Sequence, residues 1–308
     1  MTQHVIVGAG PVGTAVARQL AGAGEAVRVI TRSGGGPEHP LVERVAADAS
    51  DAARLTALTR GAEVIYNCVN PAYTRWPTDW PPISAALVAA ARASGAVLAT
   101  TGNLYGYGPV DGPMTEDTPL AATGRKGRVR IRMWQDALAS GVRTVEARGS
   151  DYLGVGAASV FSMVLFPAMR SGRAAWMPGD PDVPHSFTYT GDMARTLIAL
   201  ARDERAWGRA WHVPSPPPVT VRELAARFAE VGGLPPVRVR TLPRGLLRAA
   251  GLVVPMAREL VEMDYQFWAP FVLDSSAVTR TFGLTPTALD DVLRELAGSA
   301  PAVSGRGR

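Results

Sequence analysis

The sequence predicts an α/β protein built on a doubly wound, parallel, Rossmann-like sheet, with a smaller C-terminal α+β region. Three observations carry that expectation. Over the first 150 residues, short β-branched runs alternate with alanine-rich helical stretches, the rhythm of parallel strands joined by crossover helices. A glycine-rich turn separates the first such run from the first helical stretch. After residue 150 the rhythm breaks, and prolines crowd in at Pro178, Pro181, Pro184, Pro214 and 216–218.

Apolar periodicity places the elements in order. Strands are expected at 4–7, 26–31, 42–46, 64–68, 96–100 and 143–147, with helices at 13–23, 52–58, 83–94 and 128–140. Glycines at 24, 61, 95 and 141 fall where a helix must stop, since glycine accepts the left-handed conformation of a helix C-terminus. Further on, 192–201, 221–231 and 287–297 read as amphipathic helices, and Ser304 to Arg308 as a disordered tail. The sheet domain is therefore expected over 1–154, with 185–212 returning to it, and 155–308 as mainly a substrate-binding region.

Composition narrows the function classes. With 308 residues, 47% hydrophobic and 19% charged, the chain has the make-up of a folded globular protein with a sizeable core. Cys68 is the single cysteine, which excludes an internal disulfide and a multi-thiolate site, and no metal is expected. The formal charge is +5, yet no basic stripe interleaved with aromatics appears, so no nucleic-acid partner is expected. No export signal precedes the first strand, and the run 153–169 is too short and too rich in glycine and serine to span a bilayer. A cytoplasmic protein without a membrane partner follows. Among 32 basic residues only Lys126 is a lysine, an exception that makes it a candidate for chemistry arginine cannot perform.

Gly8-Ala9-Gly10-Pro11-Val12-Gly13 follows the first strand at once and opens a helix, the context in which such a turn holds a dinucleotide. Gly8 makes the tight turn, Gly10 lets the backbone approach a pyrophosphate, and Gly13 allows close helix–strand packing. The second strand ends Thr31-Arg32-Ser33, without the carboxylate that accepts bonds from a ribose 2′-hydroxyl. Arg32 and Ser33 suit a 2′-phosphate instead, so NADP is the expected cofactor, with NAD also possible.

From here the chain resembles the extended short-chain dehydrogenases/reductases, the NAD-dependent epimerase/dehydratase family. The resemblance is carried by Asn67-Cys68-Val69-Asn70 after the fourth strand, by Thr100-Thr101-Gly102-Asn103-Leu104-Tyr105-Gly106, and by Phe187-Thr188-Tyr189-Thr190-Gly191-Asp192, while the glycine motif is one residue shorter than the family's usual G-x-x-G-x-x-G, as in an atypical branch. It implies that Asp48 contacts the adenine, that Cys68, Val69, Asn70 and Thr100 line the cofactor, and that Thr101 is the catalytic Ser/Thr. It also implies dimerisation through 83–94 and 128–140. The family's Tyr-x-x-x-Lys is missing, and its customary interval lands on Lys126 and Arg130.

Arg130 keeps a cation near the cofactor ribose, but its pKa above about 12 bars it from donating a proton. Lys126 is the expected proton donor, and Thr101 the group that orients a substrate oxygen. Tyr107 is an alternative phenol. Asn103, Tyr105 and Tyr152, beyond the strand ends, are expected at the substrate, as is Trp76, which with Trp80 suggests an apolar pocket. His185 stands where the family often carries a substrate-phosphate arginine, which disfavours a nucleotide sugar. The expected function is an NADP(H)-dependent oxidoreductase acting on a small apolar carbonyl compound. A redox-silent NADP sensor or scaffold, and an epimerase or dehydratase without net redox change, remain open.

Overall fold

In the computed structural model, which describes residues 4–299, β1 (His4–Val7) leads through a tight turn into α1 (Pro11–Gly22). Then come β2 (Val27–Thr31), β3 (Val42–Ala46), α2 (Ala52–Leu58), β4 (Val64–Asn67), α3 (Trp76–Ser94), β5 (Val97–Asn103), α4 (Arg125–Ala139) and β6 (Thr144–Gly149). The C-terminal half contains β7 (Asp151–Leu153), α5 (Phe166–Arg170), β8 (Ala175–Pro178), β9 (Phe187–Tyr189), α6 (Thr190–Ala201), β10 (Ala210–His212), α7 (Val221–Gly232) and β11 (Val239–Leu242). It closes with α8 (Arg244–Gly251), α9 (Pro255–Glu262), α10 (Tyr265–Trp268), α11 (Ser276–Phe282) and α12 (Leu289–Gly298).

Seven strands form one parallel sheet in the order β10-β6-β5-β4-β1-β2-β3. Every residue of β1 and β4 is buried, as expected of central strands covered on both faces, whereas β3, at the edge, is largely open. One face packs against α1 and α6 through Val16, Leu20, Met193 and Leu197; the other packs against α3 through Trp80, Leu87 and Ala90. A separate apolar cluster around Phe161, Phe166, Phe228 and Leu293 holds the C-terminal region together, with the β8–β11 pair alongside. From the C-terminal half, α6 and β10 pack onto the sheet, as do Val278 and Phe282 of α11, which the sequence pattern does not reveal.

Two elements differ from the expected bounds in ways that shape the site. Helix α3 starts at Trp76 rather than at 83, passing through Pro77, Pro81 and Pro82. Proline at the start of a helix loses no bond, and the later two forfeit backbone bonds while the burial of Trp76 and Trp80 on one face compensates. Strand β5 extends to Asn103 because β6 continues beside it, in the register Thr101↔Ala147 and Asn103↔Gly149. No helix among the described residues is long and apolar enough to cross a membrane. The stretch 304–308, expected to be disordered, lies outside the described residues.

Candidate active site

The carboxyl ends of β1, β4, β5 and β6 open onto one cavity of about 200 Å³. Its floor at β1 is shaped by the glycine turn. Gly8 takes a φ of +98°, and a Cβ there would lie 2.5 Å from the Cys68 carbonyl oxygen. At Gly13 a Cβ would fall 1.9 Å from the Gly8 oxygen, so the helix meets the strand only through glycine. Gly10 is different: nothing lies within 4 Å of its missing Cβ, and it lines the cavity with Pro11 and Val12. No side chain caps the N-terminus of α1, leaving its first N–H groups and dipole directed at that open space.

Beside it, at the ends of β2 and β3, the Thr31 hydroxyl donates to the Gly35 carbonyl at 3.0 Å, and Ser33 Oγ accepts from Gly35 N–H at 3.4 Å. Arg32 is exposed. Asp48 accepts the Ser50 N–H and hydroxyl at 2.8 and 2.7 Å, bonds that hold its carboxyl below the usual range. These four residues adjoin the cavity's strand ends but do not line it.

The inner wall is aromatic. Tyr73, Trp76, Tyr105, Tyr152 and Phe271 face it, with Cys68, Val69, Asn70, Thr101, Asn103 and Arg130. The Tyr73 hydroxyl donates to the Tyr105 oxygen at 3.3 Å. Burial, reinforced by Asp151, pushes the Tyr105 phenol up to about 12, while the bonds from Tyr73 and Gln266 and the charge of Arg130 pull the other way. Tyr152 donates to the Gly102 carbonyl at 2.7 Å, and its burial raises it further still. Burial likewise raises the Cys68 thiol to about 12, and the Thr101 hydroxyl points to its sulfur at 3.6 Å.

Arg130 lies between the rings of Trp76 and Trp80, 4.7 and 4.8 Å from their centroids, and donates to the Thr101 carbonyl at 3.2 Å. Its Nε is buried without a partner in the protein. Burial lowers its pKa from the ordinary arginine value, although Glu146 opposes the shift. Asp151 also lines the cavity, and its carboxylate accepts from His185 Nε2 at 2.8 Å.

Several residues expected at the site stand elsewhere. Lys126 is only 1% exposed, yet it does not line the cavity: its ammonium pairs with Glu259 and Glu262 of α9 and stands 4.5 Å from the Tyr73 ring centroid. The reason is α9, which delivers two carboxylates to the N-terminus of α4, one of them also accepting the Lys126 N–H at 2.7 Å. Tyr107 is buried in a cluster with Leu104, Met114 and Leu273, its hydroxyl 2.7 Å from His212 Nε2 and accepting from Arg148 at 2.9 Å, and it does not line the cavity. Thr100 faces a small void beside Glu146 and Trp134, because successive residues of β5 point to opposite sides. His185 is buried among Phe271, Phe267 and Phe161 and does not line the cavity, which it meets through Asp151 and Phe271.

Conversely, Tyr73, Gln266 and Phe271 line the cavity without having been singled out from sequence. Tyr73 carries one legible signal, its position three residues before Trp76. Gln266 and Phe271 carry none, because they arrive from the far end of the chain.

The sequence model of the NAD dependent epimerase/dehydratase family matches residues 4–213. No protein of curated function matches the chain. Among solved structures, WbmH of Bordetella bronchiseptica in complex with NAD+ superposes with a TM-score of 0.77 at 19% identity, covering 97% of both chains. A double mutant of DesIV, a dTDP-glucose 4,6-dehydratase of Streptomyces venezuelae with NAD and DAU bound, gives 0.76 at 18%, covering 96% of this chain and 95% of that one. The UDP-glucose 4-epimerase of Thermotoga maritima with UDP-glucose gives 0.78 at 15%, covering 96% and 97%. At such identities the likeness establishes the fold. With the family match extending over two thirds of the sequence, from β1 to the residue after β10, this chain belongs to the NAD dependent epimerase/dehydratase family.

Proposed function

We propose that the protein is an oxidoreductase that binds a nicotinamide dinucleotide, with a preference for NADP(H) over NAD(H), and reduces a small, largely apolar carbonyl compound. The observation that carries this reading is one continuous cavity: it runs from the open flank of Gly10 to the half-buried Tyr105, with Arg130 beside it. The residues present fit such a cofactor. Gly10 and the uncapped N-terminus of α1 take the pyrophosphate, and the unpartnered Nε of Arg130 is available to a ribose hydroxyl. Arg32 and Ser33 would hold a 2′-phosphate through charge-assisted bonds.

When bound, the cofactor supplies a hydride to the carbonyl carbon. Tyr105 gives its hydroxyl proton to the carbonyl oxygen, producing an alcohol; the Tyr73 hydroxyl, donating to the Tyr105 oxygen, steadies the phenolate until solvent restores its proton. A phenol raised to about 12 stays protonated at neutral pH, which favours the reductive direction. Thr101 orients the oxygen. Lys126 has a structural part in this reading, since its N–H donors are spent on two carboxylates.

The substrate class follows from the walls. Beyond the cofactor end, aromatic rings dominate; of the two charged side chains lining the cavity, Arg130 is engaged by the cofactor in this reading, and the Asp151 carboxylate repels a diphosphate. A second copy of the chain is proposed to pack on α3 and α4, which leave an open groove of about 590 Å³ between them.

Titration with NADPH and NADH, followed by nicotinamide fluorescence, tests the reading; tighter binding of NADPH is expected, and equal affinities overturn that preference. A panel of aromatic ketones should consume NADPH. If cofactor copurifies and added NADPH is not consumed, the redox-neutral epimerase or dehydratase reading replaces this one.

A further inference from the structure

The geometry points to the α8–α9 hairpin as a docking element for an anionic lipid surface. Arginines without matching acids run up to and through the tip of that hairpin, and the acids that follow in α9, Glu259 and Glu262, are engaged by Lys126. Lysine and arginine number 32 against 27 acids; between residues 231 and 258 there are five arginines (Arg238, Arg240, Arg244, Arg248 and Arg258) and no acid, so the rest of the chain balances.

The same segment carries the most exposed apolar side chains among the described residues. Leu252 is 87% exposed, Val253 81% and Leu246 60%, with Val254 and Met256 also open. They are not an unfinished core, because the hairpin's inward face is already covered through Leu247, Ala257 and Glu259. Gly251 brings the two helices close, since a Cβ there would lie 3.2 Å from Arg258 Cα, and the aliphatic tip Leu252–Met256 therefore protrudes with Arg258 at its base. Arg238, Arg248 and Arg258 make no ion pair among the described residues, and Arg240 lies over the half-exposed ring of Trp176 on the neighbouring strand.

An aliphatic tip flanked by Arg248 and Arg258 matches the boundary between acyl chains and anionic headgroups: the tip enters the apolar layer while the arginines stay among the phosphates. A second copy fits this surface poorly, because a two-fold contact would set its arginines against themselves. A nucleic acid fits poorly too, for the tip offers no ring on which a base stacks. No spanning helix is needed for a protein that lies on a bilayer. Beyond α9 the chain continues into α10, where Gln266 lines the cavity, so docking would bring an apolar substrate's source close to the site.

Co-sedimentation of the full chain tests the proposal, with vesicles of phosphatidylcholine alone and of equal parts phosphatidylcholine and phosphatidylglycerol. The bound fraction should rise about tenfold on the mixed vesicles and fall as salt is added. The variant Leu252→Asp/Val253→Asp should lose that binding, and Arg248→Glu/Arg258→Glu should lose it by about tenfold or more. All four positions are exposed, so circular dichroism and cofactor affinity should match the parent. Equal partition to the two vesicles, no binding to either, or variants that bind like the parent overturn the proposal. So does a concentration-dependent dimer in sedimentation velocity that the Asp variant abolishes, which would assign the tip to self-association.

Discussion

The Lys126 ammonium stands 4.5 Å from the centroid of the Tyr73 ring, and Tyr73, not Lys126, lines the cavity. The single lysine thus sits behind an aromatic wall, engaged by Glu259 and Glu262, while the wall itself presents phenols to the space beyond Gly10. In the proposed reduction the proton donor is Tyr105, two residues beyond β5, and not the lysine.

Lys126→Met should destabilise the fold by about 3 kcal/mol or more in urea unfolding, because it strands two largely buried carboxylates. The amine itself offers a direct check. With no other lysine in the chain, an amine-reactive reagent at neutral pH should modify the α-amino group and leave Lys126 untouched until the protein unfolds. Rapid labelling of Lys126 in the native protein would place it outside its ion pair.

Tyr105→Phe should keep NADPH affinity and reduce turnover by about two to four orders of magnitude. In the parent the reaction needs the protonated phenol, so the rate should hold level through neutral pH and fall only as pH rises toward about 12. A stopped-flow pH series with the most active ketone measures both; unchanged turnover in the variant removes Tyr105 from the mechanism.

Gly10→Ala and Gly13→Ala should separate binding from folding. The first adds a methyl to open space at an ordinary φ, so thermal stability should be nearly unchanged while NADPH affinity falls about tenfold or more. The second forces a methyl onto the Gly8 oxygen and should cost about 1–3 kcal/mol of stability. Calorimetry and fluorescence titration on the two variants give the comparison.

His212 should make stability fall in mild acid. Its burial, reinforced by Arg148, holds the imidazole below its ordinary value of 6.5, although Glu116 and the Asp274 carbonyl oppose this. The unfolded chain therefore binds the proton more readily, and stability present above pH 6.5 is lost as pH drops toward the lower folded value. Thermal midpoints between pH 8 and 5 should show that decline, and His212→Asn should flatten it.

The strand rhythm, the glycine turn and the Thr100–Gly106 segment were legible because each is a local matter. Side-chain periodicity selects strand or helix within a few residues, and Gly8 and Gly13 are demanded by contacts made inside one strand–turn–helix unit. The same locality misplaced Trp76 and Trp80 in a loop, since proline content outweighed the burial that draws both into α3.

The sequence by itself determined the parallel sheet and the glycine turn, and singled out Lys126 and Arg130 as cations to be placed. Only the tertiary structure decided what those two cations do. Glu259 and Glu262 lie 133 and 136 residues from Lys126, and Trp76 and Trp80 come to Arg130 from another helix. A charged group's role depends on which partners share its low-dielectric surroundings, and those partners arrive through chain crossings that no local pattern encodes.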